Sequence, residues 1–169
     1  MGFVDYGPIK TEKTSEIATE AIVFLPVGAR SHWKCPIGYI LATKMSGKTQ
    51  AELANMALLL ADEAGLRVLS ITTDGTAVNL TMFRQLGCTF TTSYNTIITK
   101  FKHPTQKYYI YAILDPCHML KLARNALHHL KSFVDGKKNS IQWEFFKPLT
   151  TLQESEGFTL GNKLTPKHI

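Results

Sequence analysis

Two carboxylates stand where an α/β protein presents ligand-binding side chains. Asp74 follows the strand-like run 67–73 (RVLSITT) and precedes Gly75-Thr76. Asp115 follows the run 108–114 (YYIYAIL) and precedes Pro116-Cys117-His118. Ligands of open α/β sheets gather at the carboxyl ends of strands, where a rigid scaffold delivers side chains into a crevice. A carboxylate there can hold Mg²⁺, a hard cation that takes oxygen ligands and keeps several waters. The structural alternative is a helix cap, in which Asp74 accepts from backbone N–H groups of the following turn.

Other chemistry-bearing residues point to less. His118 lies three residues after Asp115, and His128-His129 lie on the same predicted helix, but adjacent histidines do not share a helical face. Solvated or partly packed roles account for all three. Ser46-Gly47-Lys48-Thr49 matches the tail of a phosphate-binding loop, yet the glycine required five residues before Gly47 is Ala42. Asn79-Leu80-Thr81 is a glycosylation sequon, which matters only in a secreted protein. The three cysteines, Cys35, Cys88 and Cys117, are odd in number and lack metal-type spacing. They read as buried, reduced thiols.

The elements that must position these groups follow from periodicity. Gly2 to Ser15 reads as a short strand or extended segment followed by a loop. Thr19–Val27 and Trp33–Leu41 read as strands joined by a turn at 28–32, with Pro26 and Pro36 at edge or bulge positions. Lys48–Ala64 is helical, capped by Ser46 and ended by Gly65, with Leu53, Met56, Ala57, Leu60 and Ala64 on its apolar face. The run 67–73 predicts a strand buried on both faces. Thr76 caps a helix that runs to Leu86 and stops at Gly87; a loop follows from Cys88 to Lys107. After the strand 108–114, Pro116 to about Lys131 predicts a helix whose stripe is Met119, Leu122, Ala123, Ala126 and Leu130. Tyr108, Tyr109 and Tyr111 need only packing to explain them. Beyond Asp135-Gly136, Trp143–Leu152 starts a further helix and 157–169 reads as a severed connection. The order β-β-α-β-α-β-α predicts a mixed sheet flanked by helices.

Length and charge set limits. At 169 residues the chain is long enough for one core. No apolar run reaches the roughly 20 residues of a membrane span, and Met1–Lys10 has no signal-peptide pattern. An intracellular protein without membrane partners is expected. The net charge of +6 points mildly toward an anionic partner.

Several strings together carry a family resemblance: 2–7 (GFVDYG), 31–39 (SHWKCPIGY), 69–76 (LSITTDGT), 114–125 (LDPCHMLKLARN) and 162–164 (NKL). In this order they resemble the P-element transposases and the related THAP-domain transposase-like proteins, over nearly the whole chain. The resemblance implies a ribonuclease-H-like fold for residues 1–138, lacking the family's first central strand, and a truncated GTP-binding insertion domain over 139–169. It implies cut-and-paste DNA transposition in a nuclear protein, with three acidic residues holding two Mg²⁺ ions and with DNA as partner. A homo-oligomer is compatible with it.

Matched residue by residue, Asp74 takes the place of the second catalytic acid. The first lies on a strand upstream of the segment matching 2–7, so Asp5 is not its counterpart, and the third follows the insertion domain. Asp115 is expected to be structural or to support the metal site, and Lys121 and Arg124 are candidates for phosphate contact. GTP belongs to the family's insertion domain and is not expected to bind this stretch alone. The resemblance therefore implies a transposase fragment that is inactive and poorly stable alone. The alternative is a domesticated remnant that binds DNA or protein without catalysis.

Overall fold

The computed structural model describes residues 2–7, 9 and 15–157. The strings 10–14 and 158–169, including 162–164 and the connection read over 157–169 apart from Gly157, lie outside the described residues. The chain divides into two units, 1–115 and 116–169.

The first unit begins with a hairpin. Strand β1 (Glu20–Phe24) pairs antiparallel with β2 (Gly38–Ala42), in the register Ile22 opposite Ile40. The isolated bridge Val27–Lys34 carries the ribbon past the prolines. Asp5 bridges Leu41 on the outer side of β2, so the predicted N-terminal extended segment forms two single bridges rather than a strand.

Helix α1 (Gly47–Glu63) follows, and Ser46 caps it: its Oγ accepts from the Thr49 N–H at 3.1 Å. This N-cap is the physical role of the Ser-Gly-Lys-Thr string. The buried face comprises Gly47, Ala51, Leu53, Ala54, Leu58 and Ala61, while Leu60 is 57% exposed. The apolar stripe is thus rotated from the predicted one. The reason is the close approach of α2 (Ala77–Leu86), which packs against the small residues. A Cβ on Gly47 would come within 2.6 Å of the Thr81 side chain.

Strand β3 (Ser70–Thr73) lies between these helices in sequence and pairs parallel with β5 (Tyr109–Leu114). The predicted loop 88–107 contains a strand of its own, β4 (Lys100–Lys102), antiparallel to β5. Its apolar signal is one residue, Phe101. The sheet order is β3-β5-β4. Leu58, Phe83, Phe101 and Ile110 centre the core on one face of this sheet, where Phe83 and Ile110 are fully buried. Each such side chain contributes about 1.5–3 kcal/mol by leaving water. The other face carries Thr72, Tyr109, Tyr111 and Ile113, all exposed. The strand 67–73 is therefore buried on one face only, which corrects the two-sided burial expected of it.

Cys88 joins the core, and burial raises its thiol pKa. Cys35 and Cys117 are exposed, contrary to the expectation of three buried thiols; their chain neighbours are a proline turn and a helix start rather than apolar runs.

In the second unit, α3 (Pro116–Leu130) precedes a hairpin of β6 (Ser132–Val134) and β7 (Ser140–Gln142). A one-turn 3-10 helix over Trp143–Phe145 leads into α4 (Phe146–Glu156), so the α-helix predicted from Trp143 begins three residues later. Of the α3 stripe predicted above, Leu122, Ala123 and Leu130 are exposed; Leu127 is the buried residue of this helix.

Candidate functional site

β3 ends at Thr73 and the chain turns through Asp74 and Gly75 into α2. Gly75 has φ +78°, a left-handed conformation that costs glycine little. The Asp74 carboxylate is exposed at this corner. Its Oδ1 accepts from the Thr76 N–H at 3.1 Å and from Asn79 Nδ2 at 2.6 Å. The Thr76 side chain makes no capping bond. Asp74 therefore closes the start of α2 itself, as the cap alternative anticipated. Among the described residues its Oδ2 has no hydrogen-bond partner.

Asp115 stands beside it. Thr73 and Leu114 are register partners of adjacent parallel strands, and the Asp115 N–H donates to the Thr73 carbonyl at 2.7 Å. The two carboxylates named from sequence thus emerge at the carboxyl ends of neighbouring strands. Asp5 is placed elsewhere: its Oδ1 accepts from the Gly7 N–H at 2.8 Å, and its strand bridge is to the far edge of β2.

Among the described residues no group of three or more His, Cys, Asp or Glu is arranged to hold a metal ion. Asp74 offers one unengaged carboxylate oxygen, so the residues present fit part of a divalent-metal site and not the whole.

The remaining candidates belong to the second unit. Lys121 and Arg124 are exposed on α3. The His128 ring meets the edge of the buried Trp143 at 4.8 Å between centroids, a packing role.

Sequence reasoning passed over two features. His103 is buried, and its Nδ1 accepts from the N–H groups of Thr105 and Gln106 at 3.3 and 3.2 Å, which leaves Nε2 to donate to the Leu58 carbonyl at 3.4 Å. It ties the β4–β5 turn to α1; the loop read over 88–107 carries no signal of this burial. The second is a cleft of about 470 Å³ lined by residues 22–29 on one side and 66–73 on the other. Gln50, Ala54, Leu58 and Ala61 of α1 also line it, and it reaches Thr73, the neighbour of Asp74.

Residues 1–87 match the family described as "TNP-like, RNase H N-terminal domain", and residues 117–169 match "TNP-like, GTP-binding insertion domain". The chain belongs to the P-element-like transposase family. Its ribonuclease-H-like part carries Asp74 at the strand end just described. The human protein named DNA transposase THAP9 is 31% identical over 160 residues, which is 92% of this chain and 17% of that relative. Among solved structures, the Drosophila P element transposase strand transfer complex superposes with a TM-score of 0.57 at 22% identity. The match covers 85% of this chain and 28% of that transposase chain, and it supports the fold. This member of the P-element-like family thus spans less than a third of the length of either protein. No helix among the described residues is long and apolar enough to cross a membrane.

Proposed function

We propose that this chain contributes one catalytic carboxylate, Asp74, to the nucleotidyl-transfer site of a P-element-like DNA transposase, and that it does not cleave DNA by itself. The observation that carries the reading is the Asp74 corner. A carboxylate on a rigid strand end has one oxygen fixed by Thr76 and Asn79 and the other without a hydrogen-bond partner among the described residues. Fixing Oδ1 orients Oδ2 outward and limits the side-chain entropy that ligation costs.

When bound, Mg²⁺ would neutralise charge on a phosphodiester and activate an attacking oxygen. Asp74 would hold it through Oδ2, and Asp115 would stand beside the site as a supporting carboxylate. Asp74 stands for the second of the three acids in this reading. The first, the third and any further ligands of a two-metal site are not among the groups arranged here by the described residues, which is why activity is not expected of the chain alone. In a complete transposase the partner is DNA, the location the nucleus, and the 117–169 region contributes to GTP recognition together with the rest of its domain. Lys121 and Arg124 are proposed phosphate contacts.

One observation favours a second reading, a remnant without catalysis. The Oδ1 bonds make Asp74 a structural cap, so the residue has a reason to be present in a protein that no longer cuts DNA.

Incubation of the purified chain with supercoiled plasmid and Mg²⁺ tests the proposal. No nicking is expected, from the chain or from Asp74→Ala. Mg²⁺-dependent nicking that disappears in Asp74→Ala would contradict the claim that the chain is incomplete.

A further inference from the structure

Asn79 is the third residue of α2, and its side chain turns back to the strand end before the helix. Its Nδ2 donates to Asp74 Oδ1 at 2.6 Å, five residues earlier in the chain. An ionised carboxylate only accepts, so the amide must present its nitrogen. The needs of the helix do not call for this residue. In a capping box the third position is Glu or Gln, whose longer side chain reaches the N–H of the cap residue. Here that N–H, of Thr76, already donates to Asp74 at 3.1 Å. Asparagine is also a weaker helix former than Glu or Gln. The side chain serves Asp74 rather than α2.

The two bonds saturate one oxygen of the carboxylate. Each carboxylate oxygen offers about two lone-pair sites, and those of Oδ1 are taken by Thr76 and Asn79. Oδ2 has no hydrogen-bond partner among the described residues. A cation can therefore take Oδ2 with no bond broken, whereas taking both oxygens requires one of the Oδ1 bonds to break. Divalent cations differ in how much they need the second oxygen. Ca²⁺ gathers about six to eight oxygens in a flexible shell and takes carboxylates by one oxygen or both. Mg²⁺ is smaller, holds to an octahedral shell and keeps several of its waters.

We propose that Asn79 is a positioning residue that makes Asp74 a one-oxygen ligand and thereby favours Mg²⁺ over Ca²⁺ at this corner. The inference rests on the reading of Asp74 as a metal-holding carboxylate. Asn79 touches no ion itself. It acts by occupying the oxygen that Ca²⁺ would add to its shell, and it leaves Oδ2 to the smaller ion. A hydrogen bond to a charged group is worth about tenfold or more in an equilibrium constant. Ca²⁺ bears that cost when it takes both oxygens, and Mg²⁺ held through Oδ2 alone does not.

The test titrates the isotope-labelled chain with MgCl₂ and, separately, with CaCl₂, and follows the amide signals of Asp74, Gly75 and Asp115 by NMR. The readout is the ratio of the two dissociation constants. In the parent chain both ions are expected to move these signals. Asn79→Ala places the best helix former in α2 and leaves Oδ2 as it is. This variant should tighten Ca²⁺ about tenfold relative to Mg²⁺. Thr76→Pro frees the same oxygen by removing the other donor, at a φ of −58° that proline adopts, and serves should Asn79→Ala fail to fold. An Asn79 that only braced the helix would change unfolding and leave the ratio where it was. An unchanged ratio in the folded variant, with Asp74 still binding, overturns this proposal alone. Parent signals that move with neither ion overturn it together with the metal reading of Asp74.

Discussion

The Asp115 N–H donates to the Thr73 carbonyl at 2.7 Å, and this bond sets the strand ends that carry Asp74 and Asp115 side by side. It belongs to the parallel ladder between β3 and β5, so the placement is made by backbone rather than by the acids themselves. Their proximity survives any change to either side chain that leaves the ladder intact.

The cap and the proposed metal role of Asp74 can be separated by two substitutions. Asp74→Asn keeps an oxygen acceptor for Thr76 and Asn79, so thermal or urea unfolding should shift little. Asp74→Ala removes the acceptor and should cost about 0.5–2 kcal/mol, as loss of a helix cap does. Equal stability of the alanine variant and the parent chain would show that the 2.6 Å bond to Asn79 is not structurally important.

Gly47 is expected to resist substitution although alanine is the better helix former. The new Cβ would sit 2.6 Å from the Thr81 side chain and 3.0 Å from the Met82 backbone nitrogen. α1 and α2 must move apart, and overpacking of this kind costs about 1–3 kcal/mol. Urea denaturation of Gly47→Ala measures it. A gain in stability would mean that the helices have room to separate.

Acid should loosen the β6–β7 hairpin. The Asp135 pKa is lowered, first by the Asn139 side-chain bond, then by the Asn139 and Lys137 backbone N–H groups; slight desolvation opposes them. A carboxylate with a depressed folded pKa stabilises above its unfolded value of about 3.9, and that contribution is lost as pH falls through the folded pKa. Hydrogen exchange in 132–142 should therefore accelerate below about pH 4 relative to an Asp135→Asn variant. Identical pH profiles for the two chains would contradict the assignment.

Much of this was legible in the sequence because local signals and tertiary structure agree. Ser46 and Gly65 bound α1, Gly87 ends α2 in a left-handed conformation, and Asp74 falls at a strand end. What periodicity misplaced was decided by packing. The stripe of α1 is set by small residues that admit α2, not by Leu60, which a count of apolar residues favours. β4 went unread because a three-residue strand with one apolar side chain, Phe101, has no period to detect. The β6–β7 hairpin did carry a signal, Asp135-Gly136, but its strands are three residues each. The cleft went unread because its walls, 22–29 and 66–73, lie far apart in the chain and no local pattern brings them together.

The most direct test of the central claim is a titration of the isotope-labelled chain with Mn²⁺, followed by amide NMR. Paramagnetic broadening should centre on Asp74, Gly75 and Asp115 and disappear in Asp74→Asn, whose fold the cap bonds preserve. Broadening that is absent from this corner, or that persists unchanged in Asp74→Asn, would contradict Asp74 as a metal-holding carboxylate.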